Sequence, residues 1–245
     1  MELRITYVHH DCFLVDIGPR VLLFDYPERA HRPATAEALV TEALRGRNAV
    51  IFASHSHDDH FSMEILKFRE TAASAHYILS YDVAEMHPEL DPEFEAEMQG
   101  VSIVEPDEFY HVEGFVLRCF ESTDLGVGFL LELEGKRIYF GGDVAEWCWP
   151  DQDERSRRFS EEHFAGVLND LAKEAVDLAF SNADPRLENW AGARRFMETV
   201  RPRYFVPMHT FGDTSAVARF AAEHRLPGIP MFVYSQMGES WRIAL

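Results

Sequence analysis

The chain has 245 residues, 47% of them hydrophobic and 27% charged, with a formal net charge of −19. This size and balance fit one globular domain over 1–245 and exclude a disordered or fibrous chain. So acidic a surface repels phosphate backbones and anionic lipid, so no nucleic-acid partner and no membrane are expected, and short basic clusters such as "ERSRRF" and "RPRY" read as solvated faces.

In chain order, "LRITYV", "CFLVDI" and "RVLLFDY" read as strands, with Gly18-Pro19 turning between the last two. "ATAEALVTEALRG" has helical spacing and ends at Gly46, and "AVIFAS" is a short apolar strand. "SMEILKFRETA" reads as a helix capped by Ser62. "HYILS", "VSIVEP", "FVLRCF", "VGFLLELE" and "KRIYFGG" are strands, the last two joined by Glu134-Gly135. Residues 159–174 have helical periodicity, "VDLAFSN" and "RYFVPM" are strands, and "AGARRFMETV" and "TSAVARFAAEH" are helices. "MFVY" and "SWRIA" close the chain as strands. Hairpins mixed with strand–helix units imply an α/β (α+β) class. Three widely spaced cysteines form no disulfide framework. The opening "MELRITYV" lacks a secretory pattern and no apolar run is long enough to cross a bilayer, so a cytoplasmic protein is expected.

The chemistry collects where apolar strands stop. "AVIFAS" runs into His55, His57, Asp59 and His60, "RIYFGG" into Asp143, and "YFVPM" into His209. Imidazoles and carboxylates suit zinc, manganese or iron. In extended backbone His55 and His57 project to one side and can share an ion. A turn after them swings Asp59 and His60 toward a second ion, and Asp143 can bridge the two.

"HSHDDH" resembles the H-x-H-x-D-H signature of the metallo-β-lactamase fold hydrolases, and Asp143 in "YFGGDV" and His209 in "VPMHT" resemble that family's later motifs. The opening "ITYVHHDCFLVDIGPRVLLFDY" is similar to the branch holding the L-ascorbate-6-phosphate lactonases. The resemblance covers essentially the whole chain and implies a four-layer αβ/βα sandwich. It also implies one or two divalent ions, zinc first. His55 and His57 would hold one ion, Asp59, His60 and His209 the other, with Asp143 between them and Asp58 at the variable position. The family's further histidine is absent: the corresponding stretch is "CFESTDLGVGF". Asp124 can replace it, Ser122 or Thr123 can hold a water in its place, or the first ion can bind weakly. In this stretch the chain resembles a branch of hydrolases that carries the same "STD".

Other residues admit two readings each. His10 either contacts the metal ligands or substrate, or is a satisfied strand-end histidine. Asp25 either orients a ligand imidazole or caps the turn before Pro27. Trp147 and Trp149 either wall a substrate pocket or pack in the core. Arg186 either holds a substrate anion or pairs with Asp184 or another carboxylate.

The function expected is a metal-dependent hydrolase of a small molecule. Metal-activated water would attack an ester, lactone, amide or phosphodiester, with Asp59 as the catalytic group that positions or accepts its proton. The rivals are a non-catalytic metal-binding or regulatory protein and a nuclease of the same fold. A redox di-iron role is weaker, because His57 stands where such members carry a glutamate.

Overall fold

The computed structural model describes residues 1–92 and 99–245. The chain forms two compact units, Met1–Glu105 with Gln236–Leu245, and Pro106–Ser235.

The first unit contains β1 (Glu2–His9), β2 (Cys12–Ile17), β3 (Arg20–Phe24), α1 (Ala36–Leu44), β4 (Asn48–Ala53), β5 (Ser74–Ser80), α2 (Tyr81–Met86), β6 (Val101–Val104) and the closing strand Ser240–Ala244. Its sheet runs from the closing strand through β1, β2, β3, β4 and β5 to β6. The hairpin strands pair antiparallel, while β3, β4, β5 and β6 pair parallel. A parallel strand in mid-sheet is covered on both faces, which is why β4 reads as a continuous apolar run. Val21, Leu23, Ala49, Ile51, Tyr77 and Leu79 belong to one buried cluster with Ala36, Val40 and Leu44 of α1. Each such leucine contributes about 1.5–3 kcal/mol on burial.

The second unit contains β7 (Phe109–Val112), β8 (Phe115–Glu121), β9 (Val127–Leu133), β10 (Lys136–Phe140), α3 (Glu154–Leu171), β11 (Leu178–Asn182), α4 (Ala193–Val200), β12 (Tyr204–Met208) and α5 (Thr214–His224). Its sheet has the order β12-β11-β10-β9-β8-β7, parallel among β10, β11 and β12 and antiparallel elsewhere. Tyr139, Ala179 and Phe205 pack with Phe164 and Leu168 of α3, Phe196 and Met197 of α4, and Phe220 of α5. The turn between β9 and β10 places Glu134 and Gly135 at φ 53° and 72°, the left-handed pair a two-residue hairpin needs.

Several elements depart from the sequence reading. Met63–Glu70 is a 3₁₀ helix rather than an α-helix, although Ser62 does accept from the Glu64 N–H. Its buried residues Ile65 and Phe68 lie three apart, the spacing that aligns in a three-residue turn. α3 begins at Glu154, not 159, because the Asp153 side chain caps it by accepting from the Ser156 N–H at 2.9 Å. "MFVY" is no strand: Met231 makes an isolated bridge to Phe205. β7 and α2 carry too little apolar pattern to be expected. Among the described residues, no helix is long and apolar enough to cross a membrane.

Candidate functional site

In the first unit the polar groups lie at the carboxyl ends of the parallel strands, the edge where α/β sheets place ligands. β3 delivers Asp25, β4 delivers Ser54 through His60, and β5 leads to Asp82; the turn after β1 adds His10 and Asp11. Asp25, fully buried, organises this group. Its Oδ1 accepts the Ser54 N–H at 2.8 Å, and its Oδ2 accepts the Ser54 hydroxyl at 2.7 Å. The same Oδ2 lies 2.8 Å from His60 Nδ1. Burial pushes the Asp25 carboxyl above its ordinary value, against the hydrogen bonds from His60 and Ser54.

These bonds fix tautomers. Because the Ser54 proton goes to Asp25, the Ser54 oxygen accepts from His55 Nδ1 at 3.0 Å. The lone pair of His55 therefore sits on Nε2, which lies 3.0 Å from His57 Nδ1. By the same reasoning His60 donates through Nδ1 and keeps Nε2 as its ligand atom. Asp82 Oδ2 accepts the Ser56 N–H at 2.7 Å and holds the loop between the two histidines. His10 is buried, with Nε2 3.4 Å from Asp59 Oδ2 and its ring 5.0 Å from that of His60. His57 and Asp58 are exposed.

The second unit repeats the plan. Asp143 follows β10, Asp184 follows β11, and His209, at φ 64°, follows β12. His209 Nδ1 lies 3.1 Å from Asp184 Oδ2, and its Nε2 lies 3.3 Å from Asp143 Oδ1. Burial raises the Asp184 carboxyl, and hydrogen bonds from His209 and Arg186 outweigh it, bringing it down to about 2. Trp147 is buried, and its Nε1–H donates to the Asp143 carbonyl at 3.1 Å. Arg186 pairs with Asp184, Nε lying 2.9 and 3.0 Å from the two carboxylate oxygens.

Within the "STD" stretch, Thr123 Oγ1 accepts the Ala145 N–H at 2.8 Å and faces the carbonyls of Asp143 and Ala145 at 2.9 and 2.7 Å. That hydroxyl braces the loop carrying Asp143. Asp124 is exposed, and its N–H donates to Ser122 Oγ at 3.2 Å. Burial, then Glu146 and Glu161, raise the Cys148 thiol, which is no activated nucleophile.

The donors fit a divalent cation. Zinc bonds of about 2.0–2.1 Å put two tetrahedral ligand atoms roughly 3.3 Å apart. Within the first unit the His55–His57 nitrogens are 3.0 Å apart, and within the second the Asp143–His209 pair is 3.3 Å apart. Sequence reasoning missed Asp184 as the partner of His209 and Asp82 as a loop anchor. For Asp184 a signal existed: "LAFSNAD" runs from an apolar strand into a carboxylate, as "RIYFGGD" does.

Comparison with known proteins agrees with this arrangement of elements. Residues 4–158 match the model of the beta-lactamase superfamily domain. The chain belongs to that superfamily. A curated relative from Opitutus terrae, named a UPF0173 metal-dependent hydrolase, is 24% identical over 250 residues, covering 95% of this chain and 97% of the relative. Among solved structures, Igni18, a metallo hydrolase from Ignicoccus hospitalis, is similar with a TM-score of 0.69 at 14% identity and full coverage of both chains. CmlA, a diiron β-hydroxylase from Streptomyces venezuelae, is similar with a TM-score of 0.59 at 14% identity, over 99% of this chain and 54% of its own. The superfamily's fold therefore carries more than one chemistry, and these likenesses do not single out the lactonase branch.

Proposed function

We propose that the protein is a metal-dependent hydrolase acting on a small molecule through a centre of one or two divalent ions. On this reading His55 and His57 would hold one ion and Asp59, His60 and His209 the other, with Asp143 between them. The observation that supports this most is the repeated imidazole–carboxylate pair. His60 on Asp25 and His209 on Asp184 each spend Nδ1 on a buried carboxylate and keep Nε2 for a cation. A histidine serving only as core polarity has no need of this device twice. The all-nitrogen-and-oxygen donor set favours zinc, with manganese or iron as the other metals it suits.

Bound divalent ions supply two effects here, lowering the pKa of water and offsetting negative charge on the group being cleaved. The chain's own residues do the rest. Asp59 would be the group that positions or accepts the water's proton, and His10 Nε2, 3.4 Å from its Oδ2, would hold that carboxylate in place. Asp25 and Ser54 hold His55 and His60 in single tautomers, so no reorganisation accompanies the step. Ser122 and Thr123 stand where the family pattern places another histidine, and the Thr123 hydroxyl is committed to backbone, so solvent would take that histidine's place. The exposure of Asp124 favours solvent over its carboxylate.

The missing histidine also favours a second reading, a metal-binding protein without turnover. Metal content measured beside hydrolysis of generic ester, lactone and phosphodiester substrates separates the two. We expect stoichiometric metal and chelator-sensitive hydrolysis in the wild type, with both lost in His57→Ala and His60→Ala. Stoichiometric metal without turnover on any substrate class favours the second reading. Normal metal in both variants contradicts the ligand assignment.

A further inference from the structure

Arg186 lies beyond the donors already assigned. Its guanidinium is half-exposed, on a chain whose net charge is −19. It does not swing freely in solvent. Nε and Nη2 are tied to the buried Asp184 carboxylate, and Cζ lies 4.2 Å from the Phe211 ring centroid and 5.0 Å from that of Trp149. Nη1 meets no hydrogen-bond partner among the described residues. The outward end of the group thus keeps two N–H donors that are held rigidly and flanked by aromatic faces.

The flanking rings form a wall. Trp147 and Trp149 stack at 6.0 Å with 6° between planes, Trp147 lies 5.2 Å from the His209 ring, and Phe211 lies 5.0 Å from it on edge. Phe211 is 41% exposed, so its ring is open to solvent on one side. Asp184 joins the two ends, because its Oδ2 serves both Arg186 and His209. Arg186 is thus tied through one carboxylate to a candidate ligand of the metal centre.

From this we infer that Arg186, clamped between Trp149 and Phe211, is a substrate subsite for an oxyanion, carboxylate or phosphate, carried next to a flat ring or other planar body. The inference rests on the hydrolase reading for its meaning, since it names the substrate class of that site. The physical reasons are three. A guanidinium fork recognises an oxyanion directionally where an ammonium does not. Its clamping removes the entropy that a free arginine loses on binding. The wall beside it offers stacking surface and nothing that repels a flat apolar face.

The test is calorimetric titration of benzoate, phenyl phosphate, acetate, inorganic phosphate and neutral benzyl alcohol. Each is run on protein with its metal and on protein stripped by a chelator. One of the planar anions should bind more tightly than benzyl alcohol and than its small counterpart, and the tighter of benzoate and phenyl phosphate names the anion. Arg186→Gln should weaken it roughly tenfold or more, the scale of a lost charge-assisted hydrogen bond, with Arg186→Lys between. Phe211→Ala leaves the Asp184 pair untouched and should weaken the planar anions while sparing acetate and inorganic phosphate. Circular dichroism checks that each variant is folded. Wild-type affinity in folded Arg186→Gln and Phe211→Ala overturns the inference. So does anion binding that disappears with the metal and ignores Arg186→Gln, and in that case the hydrolase reading stands. Planar-anion binding at Arg186 in a protein that never holds metal supports the subsite and overturns the hydrolase reading instead.

Discussion

Asp25→Ala separates the roles of the buried carboxylate most clearly. The substitution removes the acceptor of three donors, Ser54 N–H, Ser54 O–H and His60 Nδ1–H, at 2.8, 2.7 and 2.8 Å. A buried donor left without an acceptor costs about 1–3 kcal/mol. Such costs are not additive, and the Ser54 hydroxyl can rotate, so a loss of about 2–5 kcal/mol is expected from a total that is about 5–15 for most domains. The metal should suffer separately. Loss of a carboxylate behind a ligand imidazole lowers affinity about 10–100-fold, or roughly 1.4–2.7 kcal/mol. Urea unfolding of the chelated protein reads the first quantity, and zinc competition against a chromophoric chelator reads the second. Asp25→Asn keeps an oxygen for the Ser54 N–H and should recover part of the stability while its zinc affinity stays low. If Asp25→Ala loses stability but binds zinc as the wild type does, Asp25 serves the fold alone and the orientation of His60 has no bearing on metal binding.

Thr123→Val removes the hydroxyl that braces the Asp143 loop and should lower bound metal several-fold, while Asp124→Ala should leave it near wild type. The reverse order in a metal titration would assign the missing histidine's place to Asp124. A third prediction concerns acid stability away from the site. The Lys67 ammonium, and Arg32 and Arg29 after it, hold the Glu64 carboxyl down at about 2 against partial burial. A depressed carboxyl contributes stability above the unfolded value of about 4.3, and that contribution is lost as pH falls toward about 2. Glu64→Gln should therefore unfold more readily at neutral pH, and the gap to wild type should close between about pH 4 and pH 2. A gap that stays constant over that range in urea melts would contradict the charge reading.

The parallel strands were legible because β4, β11 and β12 are short apolar runs ending in a polar donor, and that change of character marks both the strand and its ligand-bearing end. The start of α3 was not legible, because residues 154–159 are exposed and leave no apolar period to read. β7 has four residues and no buried side chain, so only its pairing with β8 makes it a strand. In the site, ligand candidates could be read from spacing within one segment. Their supports could not. Asp25 lies 35 residues from His60 and Asp184 lies 25 from His209, so each pairing exists only once strands are adjacent. The residue type of Thr123 permits a water holder, whereas its place beside the Asp143 loop comes from the sheet.

The most direct test of the metal centre is an anomalous difference map from crystals of the protein grown with zinc and measured at the zinc edge. Peaks bonded by Nε2 of His60 and of His209, with Nδ1 of each still on Asp25 and Asp184, are the predicted result. A protein with stoichiometric zinc whose peaks lie away from these residues, or are held through Nδ1, would contradict it.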